Sequence, residues 1–274
     1  MKETYKIKIS LSLIVLLLII LMSIFAPHLA KFDPNEVNMK NKLQPISRDH
    51  IFGTDALGRD IFSRIVYGGR ISMLVALASV SISMLIGLIL GLMAGYYGGA
   101  LDKVITYFSN ILQSIPRLAL MLAITGILGI GIKPLLIGLF ITSWAGFSRV
   151  VRMEAAKIKQ EDFIEAMVCL GSSDFQIIIK HILPNILSNM IIIFFTNLGR
   201  SLLTISSLSY IGLGVRPPNP DWSVMINDAR MHFRTAPHLI YVPALFIFAL
   251  IFSLNNLGDG LRDYFDKKSE EIQV

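Results

Sequence analysis

The sequence predicts an all-α integral membrane protein with six transmembrane helices. Of its 274 residues, 54% are hydrophobic and only 16% charged, where a soluble domain carries about a quarter charged residues. The mean hydropathy is +0.64. The apolar residues gather into runs near the ~20 residues a helix needs to cross a hydrocarbon layer about 30 Å thick. Six spans take about 120 positions and leave the rest divided among loops. No separate soluble catalytic domain has room to fold.

The first span, 9–25, follows Lys2, Lys6 and Lys8, a pattern that resembles the charged and apolar regions of a secretory signal. Ala26-Pro27-His28 is a poor cleavage site and further spans follow, so the segment reads as an uncleaved anchor with its N-terminus in the cytoplasm. A polar stretch, 28–70, comes next. Residues 1–70 therefore divide off as an anchor helix plus external loop, and 71–274 as the main transmembrane domain. Its spans fall at 71–96, 104–128, 135–147, 186–213 and 239–257, which puts both termini in the cytoplasm. Trp144, Arg149 and Arg152 set the end of the fourth span at the cytoplasmic interface. Lys and Arg are nearly balanced, 12 inside against 11 outside. The orientation is therefore taken from the short termini, which weigh more than a long loop.

In the second span Ser72, Ala76, Ser79, Ser83, Gly87, Gly91 and Gly95 recur three or four apart, on one helix face with overlapping G-x-x-x-G pairs. Such a face lets another helix approach closely. In the fifth span Arg200 lies midway along an apolar run, where a charge facing lipid costs a few kcal/mol. Thr196, Asn197, Ser201, Thr204 and Ser207 share its side, opposite a stripe of Phe195, Leu198, Leu202 and Ile205. Asn197, Arg200, Ser201 and Thr204 are thus expected to line a translocation path shared with a second subunit, the alternative being a purely structural buried network.

Between the fourth and fifth spans, 149–184 is too polar for the membrane yet helically periodic. It reads as a cytoplasmic hairpin of two short helices. Gly171 suits a left-handed end to the first, Ser173 and Gln176 make a capping box for the second, and Pro184 parts that helix from the fifth span. A charged hairpin with surplus apolar side chains suits docking into a groove on a soluble partner, or lying on lipid.

Several chemistries lack their parts. There is no G-x-x-x-x-G-K-[ST] phosphate loop, so any ATP must be hydrolysed by a partner, and no cofactor is expected in this chain. The five histidines, His28, His50, His181, His232 and His238, include no pair at metal-ligand spacing, and no metal site is expected. Cys169 is the only cysteine, which rules out an internal disulfide or thiolate cluster. No nucleophilic triad or intramembrane carboxylate pair stands out, so there is no catalytic residue and no enzyme activity. The net charge of +6 is spread over span ends, which points to anionic membrane lipid as counter-charge and away from nucleic acid.

Glu165-Ala166-Met167, then Gly171, then Ile182-Leu183-Pro184 resembles the EAA loop of ATP-binding-cassette importer permeases, with Met167 in place of the second alanine. Phe52-Gly53-Thr54-Asp55, Gly58-Arg59-Asp60, Leu208-Ser209-Tyr210-Ile211-Gly212-Leu213-Gly214, Pro217-Pro218-Asn219-Pro220-Asp221-Trp222 and Gly258-Asp259-Gly260-Leu261-Arg262-Asp263 look like the dipeptide, oligopeptide and nickel subfamily. The resemblance spans nearly the whole chain and is closest to its dipeptide permease C type. It implies an importer in the cytoplasmic membrane with an external substrate-binding protein, two different permease subunits and two cytoplasmic ATPases. Glu165, Ala166, Gly171 and Pro184 would then form the ATPase-coupling element. Peptide is the expected substrate, with nickel or another metal chelate as the alternative. The block from Gly53 to Arg70 is expected to form an interfacial or membrane-dipping helix. A self-sufficient secondary carrier would show acidic or His residues within spans and often an internal repeat, and neither stands out. A passive scaffold has no use for a central Arg200.

Overall fold

The computed structural model describes residues 4–272, with side chains placed for 6–265. Lys2 lies outside the described residues. The elements are all helical: α1 (Thr4–Ile24), α2 (Ala26–Leu29), α3 (Ile61–Tyr97), α4 (Gly99–Ser114), α5 (Arg117–Leu128), α6 (Ile132–Ile158), α7 (Asp162–Cys169), α8 (Asp174–Ile177), α9 (Leu183–Tyr210), α10 (Trp222–Ala229) and α11 (His238–Ile272). Five of the helical stretches are long and apolar enough to cross a membrane, or six if the bent pair α4–α5 is one span.

The third span is not a single rod. α4 and α5 meet at 89° across Ile115 and Pro116. The proline ring disfavours helical backbone in the residue before it, and Ile115 accordingly takes φ −88°, ψ 128°. The fourth span is longer than its apolar stretch of 135–147. Helix α6 continues to Ile158, so Arg149 and Arg152 belong to it and not to the hairpin. Arg152 pairs with Asp102 of α4 through two nitrogens, one bond at 2.6 Å. That partner lets charged residues extend the helix beyond the apolar run.

The glycine part of the small-residue stripe of α3, Gly87, Gly91 and Gly95, faces α6, and this is the most extensive helix pair in the fold. A Cβ on Gly91 would sit 2.6 Å from Val151 Cβ and 2.7 Å from the Ser148 carbonyl oxygen, and one on Gly87 2.5 Å from Phe147 Cβ. Only glycine permits backbones this close. α1 and α11 pack antiparallel, with Lys8 3.5 Å from Asp263. The N-terminal end of α1, the C-terminal end of α11 and the α7–α8 hairpin thus gather at one end of the bundle, called here the hairpin end. Segment 30–60 and α10 cap the other, the loop end.

At the loop end the block from Gly53 to Arg70 does not make a separate membrane-dipping helix. Residues 53–60 form a tight turn closed by a Thr54–Asp60 bridge, and helix begins only at Ile61, running unbroken into the second span for 37 residues. Two local signals set that start. Gly53 and Gly58 take φ +76° and +74°, left-handed conformations suited to glycine. Asp60 caps α3 by accepting hydrogen bonds at 2.7 Å from both the Ser63 amide and hydroxyl.

The charged residues of this block are folded inward. Arg59 Nε lies 2.5 Å from Asp55, and its other end 3.3 Å from Asp228 of α10. Arg64, 1% exposed, donates to the Pro34 carbonyl at 2.8 Å. His50 lies 2.9 Å from Asp60. Asp221 caps α10 at the Ser223 and Val224 amides and accepts the Ser72 hydroxyl at 2.5 Å, while Trp222 Nε1 donates to the Ile65 carbonyl at 2.8 Å. Removing one partner of such a buried pair costs about 3–5 kcal/mol. The network fixes the 30–60 segment to the first turns of α3 and to α10.

Candidate functional site: coupling hairpin and mid-span polar face

Two places combine exposure with residues that a lone bundle has no use for. The first is the hairpin. Helix α7 ends in a Schellman motif: Gly171 N–H bonds the Val168 carbonyl at 3.0 Å and Ser172 N–H the Met167 carbonyl at 3.1 Å, with Gly171 at φ +82°. α8 starts on a capping box in which Ser173 and Gln176 each accept the other's backbone N–H.

Ile164, Ile177 and Ile182 are buried in the common core. The Tyr96 hydroxyl at the end of α3 donates to Asp174 at 2.8 Å, and Lys159 donates to the Tyr96 carbonyl at 2.6 Å while lying 5.0 Å from its ring centroid. The hairpin is therefore tied to the end of α3 by the Tyr96–Asp174 hydrogen bond, and its Ile164 and Ile177 join the common core.

Its outer surface is unusual for a polar end. Leu170 is 79% exposed and Phe175 73%, and Phe163 and Val168 are also exposed. A cluster of large apolar side chains beside Glu161, Asp162, Glu165 and Asp174 is what a docking surface leaves uncovered in an isolated chain. Glu165, Ala166 and Gly171 are exposed within this hairpin.

Pro184 is not beside them. The helix begun at Asp174 does not break there but passes through a π-helical stretch, Ile178–Ile182, into α9. In that wide turn the Leu183 N–H reaches back to the Ile178 carbonyl. The missing N–H of Pro184 and the bulk of its ring are absorbed without a kink. Pro184 lies about 15 Å along the axis from Asp174.

The second place is the polar face of α9. Asn197 bonds back to the Ile193 carbonyl at 2.9 Å and Thr204 to the Arg200 carbonyl at 2.9 Å. Ser201 is fully buried, and its hydroxyl receives Arg117 at 3.4 Å. Arg200 itself is exposed, with no side-chain partner among the described residues. It stands ten residues before Tyr210, about 15 Å along the axis, near the middle of a hydrocarbon layer about 30 Å thick.

Arg117 was not among the expected site residues. It begins α5 immediately after the bend, and its guanidinium also donates to Ser143 of α6 at 2.5 Å. The signal was present in Pro116-Arg117, a helix breaker and a charge together inside an apolar run. Two arginines thus stand on neighbouring elements at mid-span, and both need water or protein around them.

Among the described residues no three His, Cys, Asp or Glu side chains cluster as ligands. His232 and His238, in or next to the loop before α11, are not brought together with any third such group.

Comparison with known proteins agrees with this architecture. A model of the binding-protein-dependent transport system inner membrane component matches residues 87–271, and one of the N-terminal transmembrane domain of oligopeptide transport permease C matches 10–45. The chain is 39% identical over 253 residues to the glutathione transport system permease protein GsiD of Pectobacterium atrosepticum, covering 92% of this chain and 84% of that one. It is 38% identical over 268 residues to the dipeptide transport system permease protein DppC of Alkalihalophilus pseudofirmus, covering 97% and 88%. Among solved structures, an inward-facing MetNI methionine ABC transporter superposes with a TM-score of 0.60 at 20% identity, over 73% of this chain and 95% of that one, a likeness of fold. The chain belongs to the binding-protein-dependent inner membrane component family, as a multi-pass, non-enzymatic permease subunit of an ATP-binding-cassette importer that works with ATPase and substrate-binding partners.

Proposed function

We propose that this subunit imports di- and oligopeptides, pairing with a second, different permease chain, two cytoplasmic ATPases that bind ATP and Mg, and an external binding protein. The names of the relatives support a peptide cargo, since glutathione and dipeptides are both short peptides. The hairpin end faces the cytoplasm, and the α9 face bearing Asn197 and Arg200 lines the path shared with the second permease, while Ser201 and Thr204, expected on that path, lie buried within this chain behind it.

The observation that carries the coupling role is the set of exposed apolar side chains of the hairpin, Phe163, Val168, Leu170 and Phe175, with Asp174 bonded to Tyr96 at the end of α3. Glu165, Ala166 and Gly171 present this surface to the ATPase, and Pro184 at the start of α9 passes its displacement into the span. Closure of the ATPases on ATP moves the hairpin and turns the path outward, and hydrolysis resets it. Only a difference in ATPase affinity between the two states can drive the change.

Gly171→Asp tests this. A Cβ there meets nothing within 4 Å; the φ of +82° strains any side chain, Asp less than most, and the abundance of the variant in the membrane checks that it folds and inserts. A new charge on the docking surface abolishes coupling. In cells carrying wild type or the variant, uptake of labelled glutathione, dipeptides and oligopeptides falls to background while the variant reaches wild-type abundance. Retained ATP-dependent uptake would overturn the docking role. Loss of labelled nickel uptake alone, measured in parallel, would replace the peptide cargo by a metal chelate.

A further inference from the structure

A trough of about 430 Å³ runs between α1, α3, α9 and α11, walled by Leu16, Ile20, Met73, Leu77, Leu198 and Leu250. Leu198 lies two residues, about 200° of helical rotation, from Arg200. The trough therefore opens away from the polar face of α9, toward the periphery of the bundle. Along α1 it extends from Leu16 to Ile24, about 12 Å, close to the ~15 Å hydrocarbon depth of one leaflet.

Its loop end is polar. There the trough shares Arg70 and Leu74 with a second cavity of about 750 Å³, lined also by Lys31, Asp33 and Tyr67. Lys31 is paired with Asp49 at 2.9 Å, and Asp33 accepts the Asn35 amide at 2.8 Å. Arg70 has no carboxylate partner among the described residues and lies 5.4 Å from the Tyr67 ring centroid. Ser23, on the trough wall, keeps a buried hydroxyl with no hydrogen-bond partner among the described residues.

An apolar slot close to one leaflet deep, with a cation lacking any carboxylate partner at its mouth, matches one amphipathic molecule. We propose that the trough holds an acyl chain of an anionic phospholipid whose headgroup phosphate is bound by Arg70. A soluble anion has no use for the trough, and an apolar helix from another chain would leave Arg70 unanswered.

The test uses the assembled transporter, released from vesicles holding equal parts phosphatidylglycerol and phosphatidylcholine and weighed by native mass spectrometry. Wild type retains phosphatidylglycerol in preference. Arg70→Gln lowers that preference about fivefold, and Arg70→Lys restores most of it. Equal retention of the two lipids by wild type, or an unchanged preference in Arg70→Gln, overturns the assignment. A photocrosslinking amino acid at Leu74, 66% exposed on the rim, keeps Arg70 intact and forms a lipid adduct in native membranes. A protein adduct there instead would show that a neighbouring chain covers the trough and would also overturn it.

Discussion

Replacing Arg200 by leucine separates a path-facing arginine from a lipid-facing one, because the two give opposite signs. The residue is exposed on α9 about 15 Å from the end of its helix. Were it in contact with lipid, its burial at that depth would cost about 2.5–3.5 kcal/mol, and leucine would recover that and about 0.5 kcal/mol more. A gain near 3 kcal/mol is about a hundredfold in an equilibrium constant and is readable as a higher melting temperature in vesicles. Facing a water-filled path or the second permease, Arg200 carries no such cost. Arg200→Leu then leaves the melting temperature within a degree or two of wild type, or lowers it, while peptide uptake collapses. The assay pairs thermal melting of the reconstituted transporter with uptake by the same vesicles. A stabilised variant with normal uptake would refute the path assignment.

Gly91→Leu forces α3 and α6 apart, since its first added carbon already meets Val151 Cβ at 2.6 Å and a backbone oxygen at 2.7 Å. Overpacking of this kind costs about 1–3 kcal/mol or more, and the melting temperature falls. Gly126→Ala, where nothing lies within 4 Å, leaves it unchanged or raises it, and equal losses at both sites would refute the packing argument. Burial pushes the Asp221 carboxyl above its ordinary 3.8, against the pull of the Ser72 hydroxyl, the Ser223 and Val224 amides and Arg64. The folded chain then holds that proton more tightly than the unfolded one. The stability this gives is full below the ordinary carboxylate range and is lost as pH rises through the raised value. Asp221→Asn, isosteric but uncharged, flattens that part of the melting temperature against pH profile, and an unchanged slope would show that Asp221 is not its source.

The spans and their small-residue face were legible because both rest on local composition: hydrocarbon demands apolar length, and close helix approach demands glycine at a fixed period. The end of α7 was legible for the same reason, since Gly171 and the Ser173–Gln176 pair act within a few residues of themselves. The misplacements have a different origin. The bend at Pro116 and the passage through Pro184 involve the same residue type, yet one breaks its helix and the other does not. What differs is whether the backbone can widen into a π turn upstream, as at Ile178–Ile182, and that depends on packing invisible in the local sequence. The block from 53 to 70 misled for a related reason. Its Arg and Asp residues sit at helical spacing, but their partners, Asp228 and the Pro34 carbonyl, come from segments distant in the chain. Arg117 escaped notice because its meaning depends on Ser143 and Ser201, which lie on two other helices.

That contrast between the two prolines bears on how the hairpin and the mid-span face are joined. Helices α8 and α9 with their π turn form one unbroken stretch from Asp174 to Tyr210, so no flexible loop lies between the hairpin and Arg200. On its other side the hairpin is held to the end of α3 by Tyr96 and Asp174, and Lys159 at the end of α6 bonds the same Tyr96 through its carbonyl. α3 and α6 are in turn locked along their length by the Gly87 and Gly91 contacts. In the proposed coupling, a push on Leu170 and Phe175 would be carried by α3 and by the α9 stretch, with the π turn between the hairpin and that stretch. The α4–α5 bend carries Arg117 against Ser201 of α9 and Ser143 of α6. Were α9 to slide past α6, Arg117 would have to break or remake its bonds to Ser201 and Ser143 at mid-span.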